Sequence, residues 1–497
     1  MIMEMKNSSL ACCRELFRQT KIFQEQAECI VPDVFEDIGQ IASAEAQLCL
    51  KGKELTERGA YIEGRAEICV FYITEDRARV RCVKLFKDFQ ADFGFPSLMP
   101  EAIAQVSLCS LGVQARAVNP RKIAAALTIR AELSCWAEET LLLPFDVQQE
   151  KPDSLLLRQE SAESLITLSL GEKSFVVSEQ LPLGASFDPS AIVCSHAELL
   201  YTDHQIIGSK ALIKGGVELR IGFESPESLQ PSFTEQCVPF SVLIDMPEED
   251  CVLGQVSLVP TALYTDLSDA INGSRVVELE VHGVVQYGVE KKGKAAYLSD
   301  AYSTRCPVAY DLGTASLCSR RERQSLTMRA SESISAEGAA EEAAASHAEI
   351  LSFSAKDGKA AASVSVSLLL RSEDGSLRAL QRLLSFEESL PDGEGEITAA
   401  RIVSLQTARV GEEIRLDAAL SIDCVCAKTC EIRYLTSLEL DTEHAYDPAE
   451  LPSLMLVKKG ERELWEIAKL YHSSPKAIEK LGEKFPMEGD RLLVPRI

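Results

Sequence analysis

The sequence predicts a mainly β protein in which tandem β-rich, sandwich-like domains precede a small tail with strand–helix–helix–strand order. Stretches of alternating apolar and polar residues recur along most of the chain, as half-buried strands require. The same landmarks return 151 residues later, which indicates a repeated domain. The last forty or so residues change to the apolar spacing of helices. Alternation implies one wet face for each sheet, so the sheets are expected to be antiparallel.

The 497-residue chain is strongly acidic, with 51 Lys and Arg against 76 Asp and Glu and a net charge of −25. A nucleic-acid-binding protein needs the opposite sign, so that class is excluded. Residues 455–497 contain nine basic and seven acidic residues, which leaves the tail at +2 and the rest of the chain at −27. No apolar run approaches eighteen residues, so no membrane insertion is expected. The N-terminus shows no signal-peptide core, which predicts a cytoplasmic protein.

The first segment, residues 1–28, is predicted to be helical. Between 9 and 28, Cys13, Leu16, Phe17 and Thr20 recur at helical spacing along one side. The alternating texture begins only after this segment.

The repeat is carried by a strand with an internal glycine and by a later phenylalanine. The alternating run at 61–72 contains Gly64, and the run at 212–223 contains Gly215, 151 residues further on. Phe89 and Phe240 keep the same spacing. A third copy follows at 364–370, with Phe386 as its aromatic residue. A period of this length indicates duplicated domains rather than a solenoid.

The predicted domains are 29–150, 151–300 and 301–440, followed by the tail at 455–497. Each copy ends in a further alternating run, at 123–133, 276–285 and 414–422. Turns at Asn119-Pro120, at Asn272-Gly273 and at Gly411 precede these runs. Linkers are predicted at 139–160, 288–322 and 441–454, whereas 331–345 is compatible with either helix or loop.

The tail begins and ends with short strands, at 456–458 and 492–495. Between them, Leu464, Ile467, Ala468 and Tyr471 form one apolar face of a helix. Ser474 followed by Pro475 is a helix N-cap with proline at the first helical position, so a second helix starts there.

The tail resembles the LysM domain. The landmarks are V-K-K-G at 457–460, L-W-E-I-A-K-L-Y at 464–471 and G-D-R-L-L-V-P at 489–495. The resemblance implies binding of N-acetylglucosamine polymers or of proteins, in a groove between the loops at 460–463 and 481–488. Both loops depart from the family pattern: the first is longer and lacks the usual threonine, and the second lacks the usual asparagine. These departures favour a protein ligand.

Tandem β-rich repeats followed by one such tail are similar to the SipL-like SPOCS-domain spore-coat morphogenetic proteins. This resemblance implies a non-enzymatic scaffold in the mother cell that helps to localise the spore coat at the forespore surface. It also implies docking of the tail to the coat-basement ATPase, a stage IV sporulation protein A, alongside other coat proteins. The alternative is a cell-wall protein that binds peptidoglycan through its LysM domain.

The predicted partner-binding residues lie in and beside the two tail loops: Lys458, Lys459, Gly460, Glu461, Arg462, Trp465, Gly482, Phe485 and Gly489. The bases among them would steer an acidic partner. Trp465 adjoins the apolar helical face, so it either forms the edge of the groove or completes the core of the tail. Large aromatic residues near an interface centre often dominate its binding energy.

No catalytic, cofactor or metal site is predicted. The sequence lacks the phosphate-binding, metalloprotease and nucleophile-elbow motifs. Its six histidines are scattered, and the densest cysteine group, Cys424, Cys426 and Cys430, has no second pair of ligands nearby. The sixteen cysteines are therefore expected to be free thiols, mostly packed as small apolar side chains. A hydrolase hidden in one β domain would require a deep pocket with converging polar groups.

Overall fold

The computed structural model describes residues 1–96, 102–148, 151–184, 187–224, 229–269, 275–335, 342–390, 395–411, 413–447, 452–487 and 489–497. Within these residues there are twenty-two strands and two helices, so the predicted mainly β fold is confirmed. Every pairing between strands is antiparallel, as the alternating patterns indicated. The predicted turn at Asn272-Gly273 lies outside the described residues.

Three units of six strands form the body. The first contains β1 (Met5–Ile30), β2 (Ile38–Thr56), β3 (Gly59–Thr74), β4 (Val80–Gly94), β5 (Ile103–Asn119) and β6 (Lys122–Val147). The second contains β7 (Leu155–Pro182), β8 (Ala191–Ile207), β9 (Lys210–Glu224), β10 (Ser232–Asp245), β11 (Cys251–Asp269) and β12 (Arg275–Ser303). The third contains β14 (Leu312–Ser335), β15 (Glu342–Lys356), β16 (Lys359–Arg371), β17 (Leu377–Ser389), β18 (Glu396–Val410) and β19 (Glu413–Leu435).

Each unit folds into two three-stranded sheets with one topology. The sheet orders are β1-β6-β5 and β2-β3-β4 in the first unit, β7-β12-β11 and β8-β9-β10 in the second, and β14-β19-β18 and β15-β16-β17 in the third. The two sheets of a unit share an apolar core, for example Ile68 with Leu127 in the first unit and Val366 with Leu420 in the third. Two short strands flank the third unit in sequence and pair with each other: β13 (Val308–Ala309) and β20 (Glu439–Leu440).

The predicted helix at 9–28 is wrong, because this stretch belongs to β1, a 26-residue strand. Strand β1 pairs with β6 over almost its whole length, and this long-range pairing overrides the local helical spacing. Phe17 packs inward against Phe95, whereas Leu16, which lies on the proposed helical face, is 40% exposed. The first unit therefore begins at Met5 rather than at 29.

The three units pack against one another along their lengths. Strands run through most of 139–160 and 288–322, so the linkers predicted there are largely wrong. Buried Cys69 and Cys82 of the first unit, Cys194 of the second and Leu369 of the third share one apolar cluster. A second shared cluster contains Leu143, Tyr297 and Leu317, one residue from each unit. The body is thus a single packed block of three units.

The repeated glycine and phenylalanine form a cross-strand pair. Gly64 lies directly opposite Phe89, and Gly215 lies opposite Phe240. A Cβ added to Gly64 would lie 2.2 Å from the Phe89 ring, so each ring covers a glycine. In the third unit Ala362 takes the position opposite Phe386. The 151-residue spacing read from the sequence therefore reflects a repeated packing requirement.

Replacing Gly64 with alanine is expected to lower the free energy of unfolding by roughly 1–3 kcal/mol, because the Phe89 ring must move within a filled core. Gly94→Ala is the matched control, since no atom lies within 4 Å of a Cβ built at Gly94. Urea unfolding of both variants measures the difference. Equal stability of the two variants would contradict the packing role of the pair.

All sixteen cysteines are free thiols, and nine of them are buried. Cys237 and Cys430 are exposed. The alternation in β10 places Cys237 on the outer face, next to buried Val238, so this thiol is not packed as a small apolar side chain.

Candidate partner-binding site

The tail consists of β21 (Leu454–Lys458), α1 (Leu464–Leu470), α2 (Pro475–Lys484) and β22 (Arg491–Pro495). Strands β21 and β22 pair antiparallel. The predicted start of α2 is confirmed: the Ser474 hydroxyl accepts a hydrogen bond from the Ala477 amide at 3.2 Å, and Pro475 follows the cap. The buried residues of the tail core are Val457, Ile467, Ala468, Ile478 and Val494.

The core of the tail is completed by a residue of the second unit. Tyr302, at the end of β12, belongs to the same apolar cluster and is 5% exposed. Its hydroxyl donates a hydrogen bond to the Ser473 carbonyl at 2.8 Å. The rings of Tyr302 and Trp465 pack edge to face, with centroids 4.9 Å apart. One face of the tail is therefore fixed to the body.

Asp300 supports this contact with three donors. The Trp465 indole N–H donates to Oδ2 at 2.8 Å, the Lys469 ammonium donates to Oδ1 at 2.6 Å, and the Tyr310 hydroxyl donates to Oδ1 at 2.9 Å. Burial opposes ionisation of Asp300, yet these hydrogen bonds outweigh it and lower the pKa of the carboxyl group. A further ion pair joins Arg158 of β7 to Glu463, at 2.8 Å.

The two loops of the tail are open to solvent in most of their described residues, although Glu463, at the end of the first loop, pairs with Arg158. The Lys459 amide donates to the Asp490 carbonyl at 2.9 Å, and the Gly460 amide donates to Asp490 Oδ2 at 2.8 Å. These bonds tie the first loop to the turn before β22. Gly460 has φ +57° and Gly489 has φ +73°, a conformation that glycine adopts without strain.

The structure divides the predicted partner-binding residues between these two surfaces. The exposed ones are Lys458, Lys459, Gly460, Glu461, Arg462, Phe485 and Gly489. Gly482 is partly buried within α2. Trp465 is also partly buried, and it faces Asp300 and Tyr302 of the second unit. The sequence left two interpretations of Trp465, as the edge of the groove or as part of the tail core. The contacts place it in a core that the tail shares with the body.

The open end combines positive charge with exposed apolar side chains. Lys458 pairs across the strands with Arg491, which brings two bases side by side. Further along the same outer face, Leu454 and Leu456 are 50% and 53% exposed. Phe485, at the end of α2, is 51% exposed. Such a surface suits an acidic partner that also presents apolar groups. The open face is the name used below for eight exposed residues of the tail: Leu454, Leu456, Lys458, Lys459, Arg462, Phe485, Gly489 and Arg491.

Sequence reasoning did not find the role of Asp300, Tyr302 and Tyr310. A chemical signal was present, because an aspartate and a tyrosine near the end of a buried strand require polar partners.

Other chemistry is sparsely represented in the described part of the chain. No group of three or more His, Cys, Asp or Glu residues there is arranged to hold a metal ion. Neither described helix is long and apolar enough to cross a bilayer. A cleft of about 480 Å³ lies between the first and second units and is lined mainly by polar residues, among them Glu67, Lys84 and Asp266.

Comparison of the chain with protein-family models, with curated proteins and with solved structures gives no match. The class is therefore defined by the structure itself, as a mainly β protein of three packed, internally similar units with a small mixed tail.

Proposed function

We propose that this chain is a non-enzymatic scaffold protein of endospore coat assembly. Its body consists of three SPOCS-like units, and its tail is a LysM-like module that docks to another polypeptide. The partner is a coat-basement ATPase of the stage IV sporulation protein A type, at the forespore surface in the mother-cell cytoplasm, together with other coat proteins.

The observation that carries the proposal is the division of the tail into a fixed face and an open face. Trp465 and Lys469 anchor α1 to Asp300 of the second unit. The anchored helix leaves Lys459, Arg462 and Phe485 exposed at the other end. A rigidly held, exposed surface loses little freedom on binding, which favours affinity. The three packed units supply the large body to which this surface is attached.

The charge of the open face supports a protein partner. Lys458, Lys459, Arg462 and Arg491 are all exposed. The exposed acids near them in the described residues include Glu461, Glu463 and Asp490, of which Glu463 is paired with Arg158 of the body. N-acetylglucosamine polymers carry no charged groups for a basic patch to pair with, whereas an acidic protein surface does. The experiment nevertheless includes peptidoglycan, because the LysM resemblance implies it as the alternative ligand.

Affinity capture with the intact chain tests the proposal. The wild-type chain and a Lys459→Glu/Arg462→Glu variant are immobilised and exposed to sporulating-cell lysate or to purified peptidoglycan. We expect the wild type to retain the coat-basement ATPase. The variant is expected to capture at least about tenfold less of it, since both substitutions reverse a charge on a surface that would steer the partner. Lys359→Glu, on an exposed residue of the third unit, is the matched control. Retention of peptidoglycan alone would contradict the proposal.

A further inference from the structure

One polar position is repeated in all three units and faces a neighbouring unit each time. Gln47 on β2, Glu198 on β8 and Glu349 on β15 are spaced by 151 residues. Each lies on the first strand of the second sheet of its unit, opposite Glu67, Glu218 and Ser365 respectively. The residues two positions earlier, Glu45, His196 and His347, meet where the units join.

Gln47 and Glu349 each reach into the next unit and accept a backbone hydrogen bond there. The Gln47 amide oxygen accepts from the Ala197 N–H of the second unit at 2.9 Å. Glu349 Oε2 accepts from the Val113 N–H of the first unit at 3.4 Å. Val113 follows a bulge at Gly112, which has φ +84° and lets the third unit approach closely. The two side chains therefore perform the same task, one as an amide and the other as a carboxyl group.

Glu198 lies at the boundary between the second and third units. Its electrostatic neighbours are Glu218 on the adjacent strand β9, Arg401 on β18 and Asp423 on β19. Arg401, the base among these neighbours, pairs with Glu218 at 3.5 Å. Two acids and one engaged base surround Glu198, so a negative charge on Glu198 is poorly compensated.

The environments of both carboxyl groups favour the protonated form. Burial and the Glu218 charge raise the pKa of Glu198 to about 7. Burial raises the pKa of Glu349 to about 8, with a smaller contribution from Glu45, although the Val113 hydrogen bond opposes the rise.

We propose that Glu198 and Glu349 are neutral carboxyl groups at unit boundaries, in the position that the Gln47 amide takes at its own boundary, and that their ionisation loosens the body. The three units are held together most strongly in mildly acidic solution, and their association weakens as the pH rises through neutrality. This device is independent of the partner docking proposed for the tail.

The sign of the effect follows from proton binding. A carboxyl group whose pKa is higher in the folded than in the unfolded chain stabilises the fold less as pH rises through that interval. Glu45, His196 and His347, which meet at the same junction, all have lowered pKa values. Their contributions increase with rising pH, so they cannot cause a loss on the alkaline side.

The test is thermal unfolding of the full chain between about pH 6 and about pH 7.5, about one unit below the ordinary thiol pKa of about 8.5. The wild-type midpoint is expected to fall by roughly 5 °C across this interval. In Glu198→Gln/Glu349→Gln, which copies the amide at Gln47, the fall is expected to shrink to less than half.

The Glu57→Gln/Glu249→Gln variant is the control, because it removes two carboxyl groups from exposed positions. Its thermal midpoint is expected to fall with pH as much as that of the wild type. If the double variant fails to fold, each single variant replaces it, and each is expected to remove part of the fall. A pH dependence in the glutamine variants as steep as that of the wild type would overturn the proposal.

Discussion

Replacement of Glu45 with alanine is expected to lower the free energy of unfolding by about 3–5 kcal/mol, because it leaves the largely buried charge of Arg220 without its partner. Glu45 is 7% exposed. Its carboxylate pairs with Arg220 of the second unit at 2.7 Å and with His347 of the third at 3.5 Å. The substitution thus removes the acid that three units share.

The remaining contacts of Arg220 cannot replace this pairing. Its guanidinium lies 4.0 Å from the centre of the Phe233 ring, and its other acidic neighbour, Glu235, is 3.8 Å away and exposed. The expected loss is therefore well above that of a surface ion pair. Urea unfolding measures it, and Asp88→Ala is the control, since the Arg65–Asp88 pair lies on the surface. Equal unfolding midpoints for the two variants would contradict the role of Glu45 at the junction.

Replacement of Trp465 with alanine is expected to release the tail from the body, with a loss of about 3–5 kcal/mol in tail stability. The indole ring packs on Tyr302 and donates a hydrogen bond to Asp300, so its removal empties the shared core and leaves Asp300 with one donor fewer. Trp465→Phe retains an aromatic ring and is expected to lose only about 1.5–3 kcal/mol, the size of a hydrogen bond to a charged group.

Amide hydrogen exchange of residues 464–484 gives the measurement, because a released helix pair exchanges faster than a docked one. Lys476→Ala, on the exposed side of α2, is the control and should leave exchange unchanged. If Trp465→Ala left exchange in α1 and α2 as slow as in the wild type, the anchoring role of Trp465 would be refuted.

Patterns of period two predicted most of the body, because one face of each strand is buried and the other is wet. The 151-residue repeat was visible in the sequence for a physical reason: Gly64 and Gly215 must leave room for Phe89 and Phe240. The segment at 9–28 was mistaken for a helix because its partner strand, β6, lies about one hundred residues away in sequence and leaves no local trace.

The candidate site was predictable only in part. Local signals located the two loops and the cap at Ser474, since caps and turns depend on neighbouring residues. The orientation of the tail was not predictable, because it depends on Asp300 and Tyr302, more than 150 residues before Trp465. That long-range contact decides which side of the tail is open. It also moves the expected binding surface from Trp465 to the exposed bases and to Phe485.

The role of the open face in partner docking is tested most directly by titrating the purified full-length chain into a purified coat-basement ATPase. We expect binding by the wild type, at least about tenfold weaker binding by Lys459→Glu/Arg462→Glu, and wild-type affinity for Lys359→Glu. Undiminished affinity in the double variant, or binding to N-acetylglucosamine polymers but not to the ATPase, would contradict the proposed function.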